Sequence, residues 1–296
     1  MILITGGTGF LGSQLTRVLS SKYQVAITVR SSSNLFRIRD LVASGQVRLV
    51  NVNEVDIRDL FIEGGVTAVI HAATQYGRGL QGIISDHQEI MECNIELPLR
   101  LSFLCKEFNV SKYINIDSFY SHSNQLGTLS IYSQSKRLLR EELSSVSKLS
   151  VINLVCQHIY GPMDNPDKFV TCMARSLISN DGRVDLTQGN QIRDFVFIDD
   201  VVSAVEILLD SETLPVDSYL SVECGTGIPT SIQDFMLLLK KITGASTKLN
   251  FGALARAEGE SDYCVADPFV LKNLGWDTKT SLEQGLRKVV DSLNNY

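Results

Sequence analysis

The chain has 296 residues, long for one domain and short for three, so one large or two intimately joined domains are expected. Hydrophobic residues make up 44%, charged residues 20%, and only 6 residues are proline, which excludes a disordered, collagenous or coiled-coil protein. With 33 acidic against 27 basic residues the net charge is -6; no nucleic-acid partner is expected, whereas a small anionic ligand is compatible with this balance.

In chain order, residues 2–5 are apolar and β-prone, residues 10–21 carry helical spacing, and residues 24–29 are β-branched again, which is a strand, turn, helix, strand unit. Short apolar runs follow at 47–52, 68–71, 112–116 and 149–155, alternating with helical patterns at 86–108 and 132–145. This alternation predicts an α/β fold, a Rossmann-type doubly wound parallel sheet covered by helices on both faces. Ligands of such sheets bind at the carboxyl ends of the strands. After about Tyr160 turn-forming residues become frequent, beginning with Gly161-Pro162-Met163-Asp164-Asn165-Pro166, and a smaller interleaved substrate-binding portion is expected there. The expected division is 1–157 for the dinucleotide-binding domain, with 194–224 returning to it, and 158–193 plus 225–296 for substrate.

The 6 cysteines are scattered without a CxxC pair and read as reduced, small apolar side chains of a cytoplasmic protein, with no metal expected. Glycines arrive by Gly6, so no signal peptide is expected, and no run of about 18 apolar residues predicts a membrane span.

Thr5-Gly6-Gly7-Thr8-Gly9-Phe10-Leu11-Gly12 follows the first strand and opens the first helix, the context that makes a glycine pattern specific for a dinucleotide. Gly6 suits a tight turn, Gly9 lets the backbone approach a diphosphate, and Gly12 lets helix and strand pack closely. The diphosphate would meet the helix N-terminus at Phe10 and Leu11. After the second strand, where a carboxylate would take the ribose 2′-hydroxyl of NAD, the chain has Arg30, which suits the 2′-phosphate of NADP(H); Arg37 and Arg39 read as less well placed. By position, Asp56 and Ile57 lie near the adenine, and Ala72 and Ala73 beside the middle of the cofactor. His71 reads equally as a structural histidine or a proton-transfer group.

Tyr132 and Lys136 stand four residues apart on a predicted helix, hence on one face. A phenol with an ordinary pKa of about 10 needs its phenolate stabilised by roughly 4 kcal/mol to exchange a proton near neutrality, and Lys136 and the nicotinamide's positive charge are the expected sources of that stabilisation. Ser118 ends the fifth predicted strand upstream of them.

With these residues in hand the chain resembles the extended short-chain dehydrogenase/reductases that act on nucleotide sugars. The resemblance spans essentially the whole chain and adds Asn94, His158-Ile159-Tyr160-Gly161-Pro162, the run from Gln191 to Val201, Val265-Ala266-Asp267 and Leu274-Gly275-Trp276. It implies Tyr132 as proton donor, Ser118 as hydrogen-bond donor to the substrate carbonyl, Lys136 as holder of the nicotinamide ribose and Asn94 as a support residue or a structural one. For the nucleotide diphosphate it implies Arg193, the alternative being a structural pair with Asp194 or Asp199. Arg256 stands one position from the family's late arginine, whose place Ala257 fills. Val155 and His158 stand where the family usually has arginine and asparagine. Lys168, Phe169 and His158 are candidate sugar-nucleotide contacts, and Tyr76 and Gly77 candidate hexose contacts.

The acidic pair that dehydratases carry after the catalytic hydroxyl is here Phe119-Tyr120, which disfavours elimination. Among the family the chain most resembles the group of CDP-abequose and CDP-paratose synthases. That resemblance implies NADPH-dependent reduction of the 4-keto group of a nucleotide-diphosphate-linked deoxyhexose, in deoxysugar biosynthesis of the O-antigen or polysaccharide type. The alternatives are an NAD-dependent nucleotide-sugar 4-epimerase and a non-catalytic dinucleotide sensor; the intact Ser118, Tyr132 and Lys136 argue against the latter. A homodimer through helices 86–108 and 132–145 is also expected from the family.

Overall fold

The computed structural model of the protein describes residues 1–76, 87–122, 130–213 and 217–295. Its strands are β1 (Ile2–Thr5), β2 (Val25–Val29), β3 (Val47–Asn51), β4 (Ala68–His71), β5 (Lys112–Ser118), β6 (Val151–Cys156), β7 (His158–Tyr160), β8 (Arg183–Asp185), β9 (Ile192–Arg193), β10 (Phe195–Phe197), β11 (Tyr219–Cys224), β12 (Thr230–Ser231), β13 (Lys248–Asn250) and β14 (Tyr263–Cys264). Its α-helices are α1 (Phe10–Leu19), α2 (Arg39–Ala43), α3 (Ile57–Ile62), α4 (His87–Met91), α5 (Leu97–Glu107), α6 (Ser130–Ser144), α7 (Phe169–Ile178), α8 (Ile198–Asp210), α9 (Ile232–Thr243), α10 (Phe269–Asn273) and α11 (Leu282–Asn294). The chain divides into two compact units, one within Met1–His122, Thr128–Val155 and Val202–Val222, the other chiefly Cys156–Val201 and Glu223–Tyr296.

The first unit is built on a seven-stranded sheet in the order β11-β6-β5-β4-β1-β2-β3. β1 pairs in parallel with β2 and β4, β2 with β3, and β4 with β5. Every residue of β1, β4 and β6 is buried, the pattern of strands covered on both faces. Leu3, Val69, Tyr113 and Val151 of the sheet pack in one cluster with Leu101, Leu104 and Cys105 of α5 and Leu139 and Leu143 of α6. The three- and four-residue spacing of these helical side chains gives each helix one apolar face, and burying that face holds the helix to the sheet. The chain reverses its direction of winding between β1 and β4, so Thr5, His71 and Ser118 end at one sheet edge.

The single helix expected at 86–108 is interrupted: Glu92–Glu96 forms a π-turn between α4 and α5. Pro98 explains it, since proline has no N–H to give to the carbonyl of Asn94 four residues back and its ring crowds that carbonyl. The widened turn buries Asn94 completely.

In the second unit β7 runs parallel to β10, β9 lies between β12 and β14, and β8 pairs with β13. Asp200 ties its closing segment together, accepting from the amides of Lys279 at 2.9 Å and Thr280 at 3.2 Å while its carbonyl accepts from Trp276 Nε1 at 3.0 Å.

Candidate active site

The turn after β1 requires its glycines for two different reasons. Gly6 has φ +69°, and a Cβ there would stand 2.6 Å from the amide nitrogen of Ala73; a Cβ on Gly12 would run into the carbonyl oxygen of Gly6. Gly9, the residue before α1, has extended backbone and contributes no side-chain cap, and a Cβ there would meet only the Gly6 carbonyl oxygen, at 3.2 Å. The start of α1 at Phe10 and Leu11 therefore has no capping side chain at Gly9, and the turn fits a dinucleotide. Thr5 fastens the neighbouring strand ends, its Oγ1 2.8 Å from His71 Nδ1 and accepting from the Ala73 amide at 3.3 Å, while its carbonyl accepts from the Ala72 amide at 3.2 Å.

Arg30 is exposed at the end of β2, its amide bonded to Ser33 Oγ at 2.9 Å. Arg37, read from sequence as less well placed, lies against the glycine turn. The short turn at Phe36–Ile38 brings its guanidinium over the Phe36 ring and its Nη1 to the Thr8 carbonyl at 3.4 Å, against the glycine turn itself. Asp56 caps α3, accepting from the Arg58 amide at 2.8 Å, and is paired with Arg100. Ile57 is corrected in part, because its side chain is buried in the core cluster and leaves only backbone to face a ligand.

Ser118 ends β5, and Tyr132 and Lys136 lie on α6, as their spacing implied. The Tyr132 and Ser118 hydroxyls are hydrogen-bonded. The Tyr76 ring lies 4.8 Å and the Tyr120 ring 6.0 Å from that of Tyr132. Lys136 Nζ reaches across to the Ile116 carbonyl at 3.1 Å. Lys136 is not among the groups that shift Tyr132 in the protein alone. Burial first, then Tyr76 and Asp117, push Tyr132 well above the ordinary tyrosine range, against a smaller lowering by the Ser118 bond. Tyr132 is therefore a neutral phenol at neutral pH.

His71 is pushed down to about 3 by burial and by the Lys136 ammonium, so it is a neutral imidazole anchored on Thr5. Asn94 Oδ1 accepts from the Gln75 amide at 2.8 Å, and its Nδ2 donates to the Gln75 carbonyl at 2.9 Å and to Ser135 Oγ at 3.0 Å. It pins the segment carrying Tyr76 to α6 without touching Tyr132's partner Ser118 directly. Gly77 lies outside the described residues.

In the second unit Arg193 is buried and donates through Nη1 to the carbonyls of Ile192 at 2.8 Å and Ser261 at 3.0 Å, and through Nη2 to Glu260 Oε1 at 2.5 Å. Its ionic partner is thus Glu260, not Asp194 or Asp199. The other Glu260 oxygen lies 3.5 Å from Arg256 Nε, and Arg256 also pairs with Asp262, so the two arginines share one carboxylate. Asp194 instead accepts from the Thr226 and Gly227 amides, each at 2.9 Å. His158 is pushed down to about 3, by burial first and then Arg193, and packs 5.6 Å from the Phe195 ring. Lys168 precedes α7 and pairs with Asp164 at 3.3 Å; Phe169 opens that helix and packs 5.3 Å from Phe235.

Sequence reasoning did not single out Asn115, Asp117 and Asn153, which form a buried chain beneath Ser118. The signal was present as two polar residues spaced two apart in an otherwise apolar strand, hence on one buried face. Among the described residues no cluster of three or more histidine, cysteine, aspartate or glutamate side chains is arranged to hold a metal, and no helix is long and apolar enough to cross a membrane.

A glycine turn at a switch point of a doubly wound sheet, with a serine at a strand end and a tyrosine and lysine on a helix of the same unit, defines a nicotinamide-dependent oxidoreductase of the short-chain dehydrogenase/reductase type. The chain belongs to the NAD dependent epimerase/dehydratase family, whose model matches residues 2–219. It is 31% identical to a CDP-abequose synthase of Salmonella muenchen over 98% of this chain and 96% of that one. To a CDP-abequose synthase of Salmonella typhimurium it is 29% identical over 99% and 98%. Its fold is that of the UDP-glucose 4-epimerase of Thermotoga maritima, solved with UDP-glucose (TM-score 0.83, 22% identity, 99% and 98% covered). The UDP-glucuronic acid 4-epimerase of Bacillus cereus, solved with UDP-glucuronic acid and NAD, is similar (TM-score 0.82, 21% identity, 99% of each chain).

Proposed function

We propose that this protein reduces the 4-keto group of a nucleotide-diphosphate-linked deoxyhexose with NADPH, in the cytoplasm, as a step of deoxysugar biosynthesis. The observation that carries this reading is Tyr132, a buried phenol held in its protonated form and hydrogen-bonded to Ser118. Similarity along nearly the whole chain to proteins named CDP-abequose synthase supports the substrate class.

A bound nicotinamide supplies the hydride for the carbonyl carbon. Tyr132 gives its proton to the carbonyl oxygen, and Ser118 donates a hydrogen bond to the same oxygen, so charge developing there is met by two donors. The residues proposed to hold the cofactor are Gly6, Gly9, Phe10, Leu11 and Gly12 at its diphosphate, Asp56 and the backbone of Ile57 at the adenine, Ala72 and Ala73 at its middle, and Lys136 at the nicotinamide ribose. Arg30 supports the choice of NADP(H), and Arg37, docked on the glycine turn, adds a second guanidinium for a 2′-phosphate. For the substrate, Arg193 and Arg256 are assigned to the diphosphate, His158, Lys168 and Phe169 to the nucleotide side, and Tyr76 to the hexose.

The test follows reduced-nicotinamide absorbance with NADPH and with NADH over a panel of CDP-, dTDP-, GDP- and UDP-linked 4-keto-6-deoxy and 3,6-dideoxy sugars. Oxidation of NADPH with one nucleotide class is the expected result. No oxidation anywhere, with NAD retained through desalting and 4-epimers interconverted, overturns it in favour of a 4-epimerase.

A further inference from the structure

Thr5, His71 and Asn115 are in register on β1, β4 and β5, so their side chains stand in a row on one face of the sheet, and Asn153 of β6 continues the row. The two outer links of this row are made: Thr5 Oγ1 lies 2.8 Å from His71 Nδ1, and Asn115 Nδ2 donates to Asn153 Oδ1 at 2.6 Å. At the middle link, His71 Nε2 and Asn115 Oδ1 are buried and have no hydrogen-bonding partner among the described residues.

The direction of every bond in the row follows from its two ends. Both oxygens of Asp117 accept, Oδ1 from the Ser118 amide and Oδ2 from Asn153 Nδ2, each at 2.8 Å. With its nitrogen committed to that carboxylate, Asn153 offers its oxygen to Asn115, which gives Nδ2 and keeps Oδ1, an acceptor. At the other end Thr5 Oγ1 accepts from the Ala73 amide at 3.3 Å, and its only other partner among the described residues is His71, so its single proton goes to Nδ1. His71, kept uncharged chiefly by burial, then carries its own proton on Nε2, a donor. The unmet pair is thus one donor and one acceptor, in the same sense as the other links. Neighbouring strands lie about 4.8 Å apart, and each of the two side chains is tied to the strand on its far side, His71 to β1 and Asn115 to β6. A direct bond of about 2.9 Å would draw one of them off its tie, whereas a single bridging oxygen leaves both ties intact and spares two buried polar groups the cost of desolvation.

We propose that one water molecule binds between β4 and β5, accepting from His71 Nε2–H and donating to Asn115 Oδ1, and that it closes a one-way line of hydrogen bonds from the Ala73 amide through Thr5, His71, Asn115 and Asn153 to the carboxylate of Asp117. The line joins side chains of β1, β4, β5 and β6, starting beside Gly6 of the glycine turn and ending on the residue before Ser118. Each link polarises the next toward Asp117, so the water is part of what lets a carboxylate sit inside the sheet with neutral N–H groups on its oxygens. It takes no part in the proposed reduction and stands or falls independently of it.

The experiment is NMR of the full chain with nitrogen-labelled histidine at neutral pH, the His71 ring signals being those lost in His71→Asn. His71 is expected to hold its proton on Nε2, and that proton to show a cross-peak to water whose sign inverts between laboratory-frame and rotating-frame spectra, the mark of direct contact as opposed to proton exchange. Asn115→Leu, which removes the acceptor with little change of volume, is expected to abolish that cross-peak. A proton on Nδ1, an Nε2 proton without contact to water, or a water contact that survives Asn115→Leu overturns the proposal. A crystal structure of the wild type gives a second reading that depends on no variant folding: a water within about 3 Å of both His71 Nε2 and Asn115 Oδ1 is expected. A direct bond between the two side chains, or a map with no such water, overturns it.

Discussion

Tyr132 and His71 are both buried, and burial drives each toward its neutral form, which suits the proton-donor role proposed for Tyr132 and leaves His71 an uncharged imidazole. Replacing Tyr132 with phenylalanine removes the donor and keeps the ring packing; kcat/KM for the ketosugar is expected to fall by roughly 100- to 10,000-fold with little change in melting temperature. His71 carries a stability consequence. Its folded-state value of about 3 lies below its ordinary 6.5, so the stability it contributes is complete above that ordinary value and is lost as pH falls toward the folded one. By pH 5 the loss amounts to about 2 kcal/mol for such a group. Denaturant midpoints measured from pH 7 to pH 5 are expected to fall less steeply for His71→Asn than for the wild type. The sequence left His71 open between two roles because a histidine's partner, here Thr5 one strand away, is set by β-pairing and not by its neighbours in the chain.

At the scale of elements, the turn from β1 into α1 is packed closely against its own backbone. Gly12→Ala would put a methyl against the Gly6 carbonyl, so a loss of about 2–3 kcal/mol is expected from overpacking alone, together with loss of NADPH binding measured by fluorescence titration. This turn was legible because its glycines, strand and helix are contiguous in sequence, and so was the Tyr132–Lys136 pair, whose spacing is one helical turn. The π-turn at Glu92–Glu96 was not, since helical periodicity does not register one wide turn even though Pro98 marks the spot. The tie between Arg193 and Glu260 was missed for another reason: the partners lie 67 residues apart, and nearer acids such as Asp194 offered a simpler pairing that the backbone directs elsewhere.

For the molecule as a whole, the parallel sheet and its covering helices followed from the alternation of apolar runs with helical segments, whereas the chemistry of the buried layer under the site did not. Phe103 on α5 is 60% exposed and Leu138 on α6 is 45% exposed, apolar side chains on the two helices through which a dimer is expected to form. Sedimentation at micromolar concentration is expected to give a dimer mass for the wild type and a monomer mass for Phe103→Asp. A wild-type monomer would remove the dimer expectation. The buried polar residues also bear on how the sheet comes apart. Thr5, His71 and Asn115 are in-register neighbours on β1, β4 and β5, and Asn115 continues the line to Asn153 on β6. Pulling β1 from β4, or β5 from β6, leaves a polar group without its partner in an apolar interior. The centre of the sheet therefore resists fraying at both ties, the second of which also holds Asp117, the residue before Ser118.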